Sequence, residues 1–287
     1  MKAEQATDPV AHHGEGPVWD SATGRLLSVD MLDGDVLFLD PETGTTTRTH
    51  VHCVVGCVRP RRSGGYVLAV ERGFAFLDAD SQTPELMPEL WTDRYVRMNE
   101  GGCDPQGRFY CGSMAYDQRE GRGTVWRLDT DGHAEHVLEE VTVSNGIVWS
   151  LDGSTVYYID TPTRRIDAFT FDADTGRFAD RRPFVTVPDD VEGKPDGMTI
   201  DTEGGLWVAF FGGSCVRRYD TTGTVQEQID VPVTQVTACA FGGPDLDELY
   251  ISTSSYGLGH HHEEPEAGAL FRARPGATGV PVVAYAG

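Results

Sequence analysis

Glu203-Gly204-Gly205-Leu206-Trp207-Val208-Ala209 is a tight turn running into an alternating strand, and turn-and-strand segments like it stand at residues 23–29, 64–70, 106–112, 153–159 and 247–252. A second strand follows each, at residues 35–40, 73–78, 124–129, 165–169, 215–220 and 268–272, often ending in Asp and a further turn. The repeat spacing of roughly 40–50 residues is that of one four-stranded blade. Six copies fill the chain without a linker or a composition break, and helical periodicity is weak throughout. One blade cannot bury both of its faces alone. Six stacked around an axis bury the faces between neighbours and leave a central channel. The reading is all-β: a single six-bladed β-propeller domain over residues 1–287 with a central metal site.

In such a ring the innermost strand of each blade lines the channel. It is expected just before each turn, at residues 15–19, 55–59, 99–103, 145–149, 196–200 and 237–241. The first residues of these segments are Glu15, Val55, Asn99, Asn145, Asp196 and Thr237, of which four carry a carboxylate or amide oxygen. Equivalent positions in a closed ring lie at one level, so these side chains should converge at the channel mouth. Glycine follows four of them, which allows close backbone packing near the axis. The cluster is a hard-ligand set, suited to calcium, magnesium, manganese, zinc or iron, with water completing the shell. Glu15 and Asp196 bring two charges that a divalent ion would neutralise; without it they would repel and raise one pKa. A single Asp-Gly or Asn-Gly reads as a turn. Recurrence at equivalent positions puts the metal site ahead of that reading.

Composition bounds the rest. A net charge of -22 repels phosphate backbones and anionic membranes, which disfavours nucleic acid and membrane partners. No apolar stretch is long enough to span a bilayer, and the first ten residues lack a basic segment followed by an apolar one, so a cytoplasmic location is expected. The six cysteines contain no C-x-x-C pair and are expected as free thiols, with a Cys53–Cys57 disulfide the alternative. Trp19, Trp149 and Trp207 read as packing residues between blades, and Asp40, Asp78, Asp129 and Asp220 as turn residues. His260-His261-His262 reads as a solvated loop, and His12-His13 as a support behind the oxygen cluster.

The chain resembles the senescence marker protein-30/gluconolactonase/luciferin-regenerating-enzyme family over nearly its full length. The residues that carry the resemblance are Gly14-Glu15-Gly16-Pro17-Val18-Trp19, Arg97-Met98-Asn99, Asp104-Pro105-Gln106-Gly107-Arg108 and Gly112-Ser113-Met114. Ser144-Asn145-Gly146-Ile147-Val148-Trp149-Ser150, Tyr157-Tyr158-Ile159-Asp160, Pro195-Asp196-Gly197-Met198 and the terminal Tyr285-Ala286-Gly287 complete them. The resemblance implies a divalent metal held by Glu15, Asn145 and Asp196, and substrate contacts from Arg97 and Asn99. It also implies a sugar contact at Asp117, where the family often has Glu, one methylene longer. Gly102 stands where some animal members have Lys.

The activity implied is metal-assisted hydrolysis of a sugar-acid lactone such as gluconolactone. The metal polarises the carbonyl, Asp196 takes the proton of the attacking water, and Arg97 and Asn99 orient the ring. Arg97 lies two residues from Asn99 on an extended chain, so both face the same side. Two other readings stand beside it: an aryl esterase or phosphotriesterase on the same scaffold, and a non-catalytic metal-binding propeller.

Overall fold

The computed structural model describes residues 1–258 and 264–287. The His260-His261-His262 run therefore lies outside the described residues. Six four-stranded antiparallel sheets follow one another around an axis as a six-bladed propeller. Their inner strands are Gly14–Asp20, Val55–Pro60, Val96–Cys103, Ser144–Trp149, Lys194–Ile200 and Val236–Gly242, and they number the blades I to VI. Each expected inner segment falls within one of these strands. Apart from the 3-10 turn Thr161–Thr163 no helix stands among the described residues, and none is long and apolar enough to cross a membrane.

The turns at the foot of the inner strands are built by buried aspartates. Asp201, fully buried, accepts from the backbone N–H groups of Glu203 and Gly205 at 2.9 and 2.8 Å, and from the Trp207 indole at 2.9 Å. Asp104 does the same in blade III, taking the N–H groups of Gln106 and Arg108 at 3.0 and 2.9 Å. A side chain that bonds the backbone two residues on fixes the turn, and Gly204 and Gly107 supply the positive φ that closes it. Asp40 and Asp220 cap hairpins in the same way, as their place after strands suggests.

Packing between blades is largely aromatic. Trp19 stacks on Tyr250, Phe38 meets Tyr66, Phe74 meets Phe109, Tyr110 meets Trp149 and Trp207 meets Phe241, one pair at each of five interfaces. Between blades IV and V the contact is aliphatic, through Ile159, Ile166, Met198 and Ile200. All six cysteines are free, so the Cys53–Cys57 disulfide is not formed. Cys53 and Cys103 are partly buried, and the other four are buried.

Both chain ends fasten the ring. Glu4–Gln5 is the outer strand of blade VI, paired with Phe271–Ala273, so the first residues complete the last blade. The final residues cross the face where the inner strands end. Thr278 accepts from Thr202 of blade V, Gly279 donates to Leu246 of blade VI, Tyr285 exchanges backbone bonds with Pro60 and Arg62 of blade II, and Ala286 donates to Gly107 of blade III. Tyr285 is fully buried, and its hydroxyl donates to the Asp129 carbonyl at 2.8 Å. The sequence repeat locates neither fastening, because both segments are too short to show an alternating pattern.

Blades III and IV leave no room for a side chain at Gly112, where a Cβ would stand 1.7 Å from Ser144 Oγ and 2.3 Å from Ser144 Cβ. Replacing Gly112 by Ala should lower stability by about 1–3 kcal/mol, since overpacking at a rigid contact forces backbone shifts. Chemical denaturation of the two proteins measures it.

Candidate functional site

Each inner strand pairs with its neighbour through a break in register. The breaks lie between Glu15 and Val18, Val55 and Cys57, Met98 and Gly101, Ser144 and Ile147, Pro195 and Met198, and Val236 and Ala238. A bulge adds a residue to one strand, bends it and re-aims its side chains. Six bulges at one level turn Glu15, Asn99, Glu100, Asn145 and Asp196 toward the axis. The glycines beside them are needed for close approach: a Cβ on Gly146 would meet Met198 at 2.7 Å, and one on Gly197 would meet Ala238 at 2.4 Å.

The polar side chains form a chain of hydrogen bonds across blades III to V. Arg97 Nη1 donates to Asn99 Oδ1 at 2.6 Å, and Asn99 Nδ2 donates to Asn145 Oδ1 at 2.9 Å and to the Ser144 carbonyl at 2.8 Å. Asn145 Nδ2 donates to Thr161 Oγ1 at 2.7 Å, whose hydroxyl donates to the Pro195 carbonyl at 2.8 Å, next to Asp196. These bonds fix the two amides. Asn145 Oδ1 accepts only one of them and keeps a lone pair for a cation.

Around this chain lie three buried carboxyl groups, Glu15, Glu100 and Asp196. None forms an ion pair among the described residues. Asp196 Oδ1 and Glu100 Oε2 have no hydrogen-bond partner, and Glu15 Oε2 takes only the Gly16 N–H at 3.3 Å. Burial, and then the charge of the other acids, pushes the Glu15 and Asp196 carboxyls well above the usual range. Burial pushes Glu100 up to about 7. Unpartnered buried acids of this kind fit a divalent cation, which would neutralise the charge and take the orphaned oxygens. No group of three or more His, Cys, Asp and Glu side chains is spaced to hold an ion among the described residues. Glu15 and Asp196 with the amide of Asn145 bring two carboxylates and an amide oxygen to this level, oxygen donors of the type such an ion takes.

Glu100 was not among the sequence expectations, although a signal for it exists. At the second position of the aligned inner segments, five blades have Gly16, Gly56, Gly146, Gly197 or Ala238, and only blade III has a long side chain. Glu100 fills the space the other five leave.

Arg97 is one of three buried arginines, with Arg108 and Arg127. Arg108 pairs with Asp104, and Arg127 with Asp129 and Glu135. Arg97 has no carboxylate partner among the described residues, and its Nε is unbonded. Its guanidinium lies 5.6 Å from the centre of the Tyr116 ring. His13 is also buried at this end, with Nδ1 2.7 Å from Ser254 Oγ, and burial and the Arg97 charge bring its pKa down to about 3, leaving a neutral ring. Tyr256 packs on His12 and His13, 5.6 Å from each ring centre.

Asp117 stands apart from this cluster. It lies in the exposed turn after the strand Phe109–Ala115 and pairs with Arg119 at 2.9 Å. Together with Asp93, Tyr95, Tyr116 and Arg122 it lines a rim cleft of about 390 Å³. The shorter Asp reaches its neighbouring arginine, not the hydrogen-bonded chain around Asn99. A second cavity, of about 320 Å³, lies at the other end of the channel between the inner strands and residues 280–283.

The sequence profile of the SMP-30/Gluconolactonase/LRE-like region matches residues 13–255. The chain is 36% identical to regucalcin of Xenopus laevis, over 100% of this chain and 99% of that protein. It is 37% identical to pentonolactonase XacC of Haloferax volcanii, over 98% of this chain and 97% of that protein. Its fold superimposes on the crystal structure of a calcium-binding protein, regucalcin, from Agrobacterium tumefaciens, with a TM-score of 0.93 at 26% identity, covering 99% and 97% of the two chains.

The raised carboxyl pKa values set a pH dependence. In metal-free protein these groups hold protons more tightly folded than unfolded, so stability falls as pH rises from about 4, their unfolded value, through about 7 for Glu100. A divalent cation should therefore raise the melting temperature of chelator-treated protein more at pH 8 than at pH 5. Thermal melts with and without added calcium or manganese at the two pH values measure the difference.

Proposed function

The chain belongs to the SMP-30/Gluconolactonase/LRE-like family, and from that premise we propose that it is a lactonase, hydrolysing sugar-acid lactones with one divalent cation. The observation that carries the reading is the set of unpartnered buried acids at the channel mouth beside a buried arginine that lacks a carboxylate. Glu15, Asn145 and Asp196 would hold the cation. When bound, it would polarise the lactone carbonyl and stabilise the charge developing on its oxygen.

The chain's own groups account for the rest of the reaction. Arg97 is already locked to Asn99 and keeps further N–H donors for ring oxygens, which orients the substrate without loss of side-chain freedom on binding. Asp196, whose affinity for protons is raised by burial, accepts the proton of the attacking water. Water oxygen adds to the carbonyl carbon, the ring C–O bond breaks, and the departing oxygen takes the proton to give the open hydroxy acid. Asp117 on the rim would touch the sugar's outer hydroxyls only if its pairing with Arg119 opens.

The pentonolactonase named above supports a lactone substrate, and the family description supports gluconolactone among the candidates. Which lactone and which cation are used is read from a panel. Six free thiols favour a reducing, cytosolic setting, and the two end fastenings favour one domain over residues 1–287. An acidic surface with a net charge of -22 favours neither nucleic acid nor membrane as partner.

Chelator-stripped protein should hydrolyse gluconolactone, xylonolactone, arabinonolactone or galactonolactone only after a divalent ion is added back, and should leave paraoxon and phenyl acetate largely untouched. Asp196→Ala should lose bound metal and at least about 100-fold in kcat, the scale of a missing general base. Wild-type rates in that variant would refute the assignment. Preferential turnover of paraoxon or phenyl acetate would put the activity in another class of hydrolase.

A further inference from the structure

Three large apolar side chains stand exposed at the mouth end of the channel, and all are tyrosines: Tyr95, Tyr116 and Tyr256. Tyr116 is 42% exposed and Tyr256 is 52% exposed. Tyr95 stands farther out, at 78% exposure. The first two flank the buried Arg97. Tyr116 presents its face to the guanidinium at 5.6 Å, and its hydroxyl is tied down by a 3.0 Å bond to Glu71 Oε1. Tyr256 is braced against His12 and His13, 5.6 Å from each ring centre. Arg97 Nε, nine-tenths buried, has no partner. The mouth thus combines aromatic surface held in place, a buried imidazole and unspent donors. A pocket of this composition takes a ligand with an apolar face and an oxygen-rich edge.

We propose that Tyr116, Tyr256 and His13 form the ring-binding wall of the substrate pocket. They hold a cyclic, hydroxylated lactone by its C–H face with its oxygens turned to Arg97, and so give cyclic esters an advantage over open-chain ones. The inference rests on the lactonase reading and goes beyond it, since nothing in the hydrolysis itself needs an aromatic wall. His13 and its neighbour His12, left as a support in the sequence reading, acquire a part here: they set the angle of the Tyr256 ring.

The test compares kcat and KM for gluconolactone and for open-chain methyl gluconate in metal-loaded wild type, Tyr116→Ala, Tyr256→Ala, the double variant and the two Phe variants. Leu151→Ala, an exposed aliphatic at the opposite end of the channel, is the control. The double Ala variant should raise KM for the lactone roughly tenfold, the scale of two lost aromatic contacts, with a much smaller change in kcat and a reduced preference for the cyclic ester. The Phe variants should retain both the KM and the preference, which a role for the hydroxyls alone would not allow. A lactone KM in the double variant within about twofold of wild type overturns the wall. Failure of wild type to hydrolyse any lactone would instead refute the lactonase reading. Calorimetric titration with 1,5-anhydroglucitol, a cyclic polyol without the ester, and with open-chain sorbitol then decides the wall separately. Tighter binding of the cyclic polyol that is lost in the double variant upholds it, and equal binding of the two polyols by wild type overturns it.

Discussion

Glu15, Glu100 and Asp196 are held out of water on the axis with no basic side chain paired to them, and the surrounding structure is what makes that tolerable. A buried charge without a partner is costly enough that a protein ordinarily neutralises it or leaves it in solvent. Here six antiparallel sheets, aromatic contacts between them and two end fastenings keep the inner strands from spreading apart to relieve the strain. The cost of holding these acids together is borne by a scaffold whose stability lies elsewhere.

The same rigidity explains how residues far apart in the chain reach one level. Each inner strand bends at the same height, and each bend sits beside a glycine or another small residue, in blade III Gly101, one place later than in the others. Exchanging an amide for a carboxylate at one blade alters the charge of the centre without altering the ring. The hydrogen-bonded run from Arg97 through Asn99, Asn145 and Thr161 to the Pro195 carbonyl links three blades, so orientation at the mouth is coupled to the packing of the ring.

Much of this was legible in the sequence, for definite reasons. The inner and second strands repeat with alternating apolar residues and a glycine-bearing turn, and those two features identify all six blades. Glu15, Asn99, Asn145 and Asp196 occupy one aligned position, so their convergence follows from the ring alone. Glu100 is harder to read because its signal lies at the second aligned position, as the one long side chain among small residues. The strand Glu4–Gln5 escaped because two residues carry no periodicity. The place of Asp117 depends on a side-chain pairing within its own turn, with Arg119, which competes with any contact toward the channel and is invisible to spacing. The unpaired state of Arg97 is likewise a property of three dimensions: from the sequence it is one arginine among many.

The two end fastenings bear on how the molecule comes to be. Glu15 belongs to the first blade and Asp196 to the fifth, and the sixth, which lies between them on the ring, is completed only when residues 4–5 pair with residues 271–273. The pairing of Glu15 with Asp196 across the sixth blade therefore waits for that blade to close. Most of the ring's contacts join residues distant along the chain, which makes closure slow compared with the folding of a single blade. Gathering of the acids at one level is thus an event of the closed ring, and losing either end fastening loosens the cluster along with the ring.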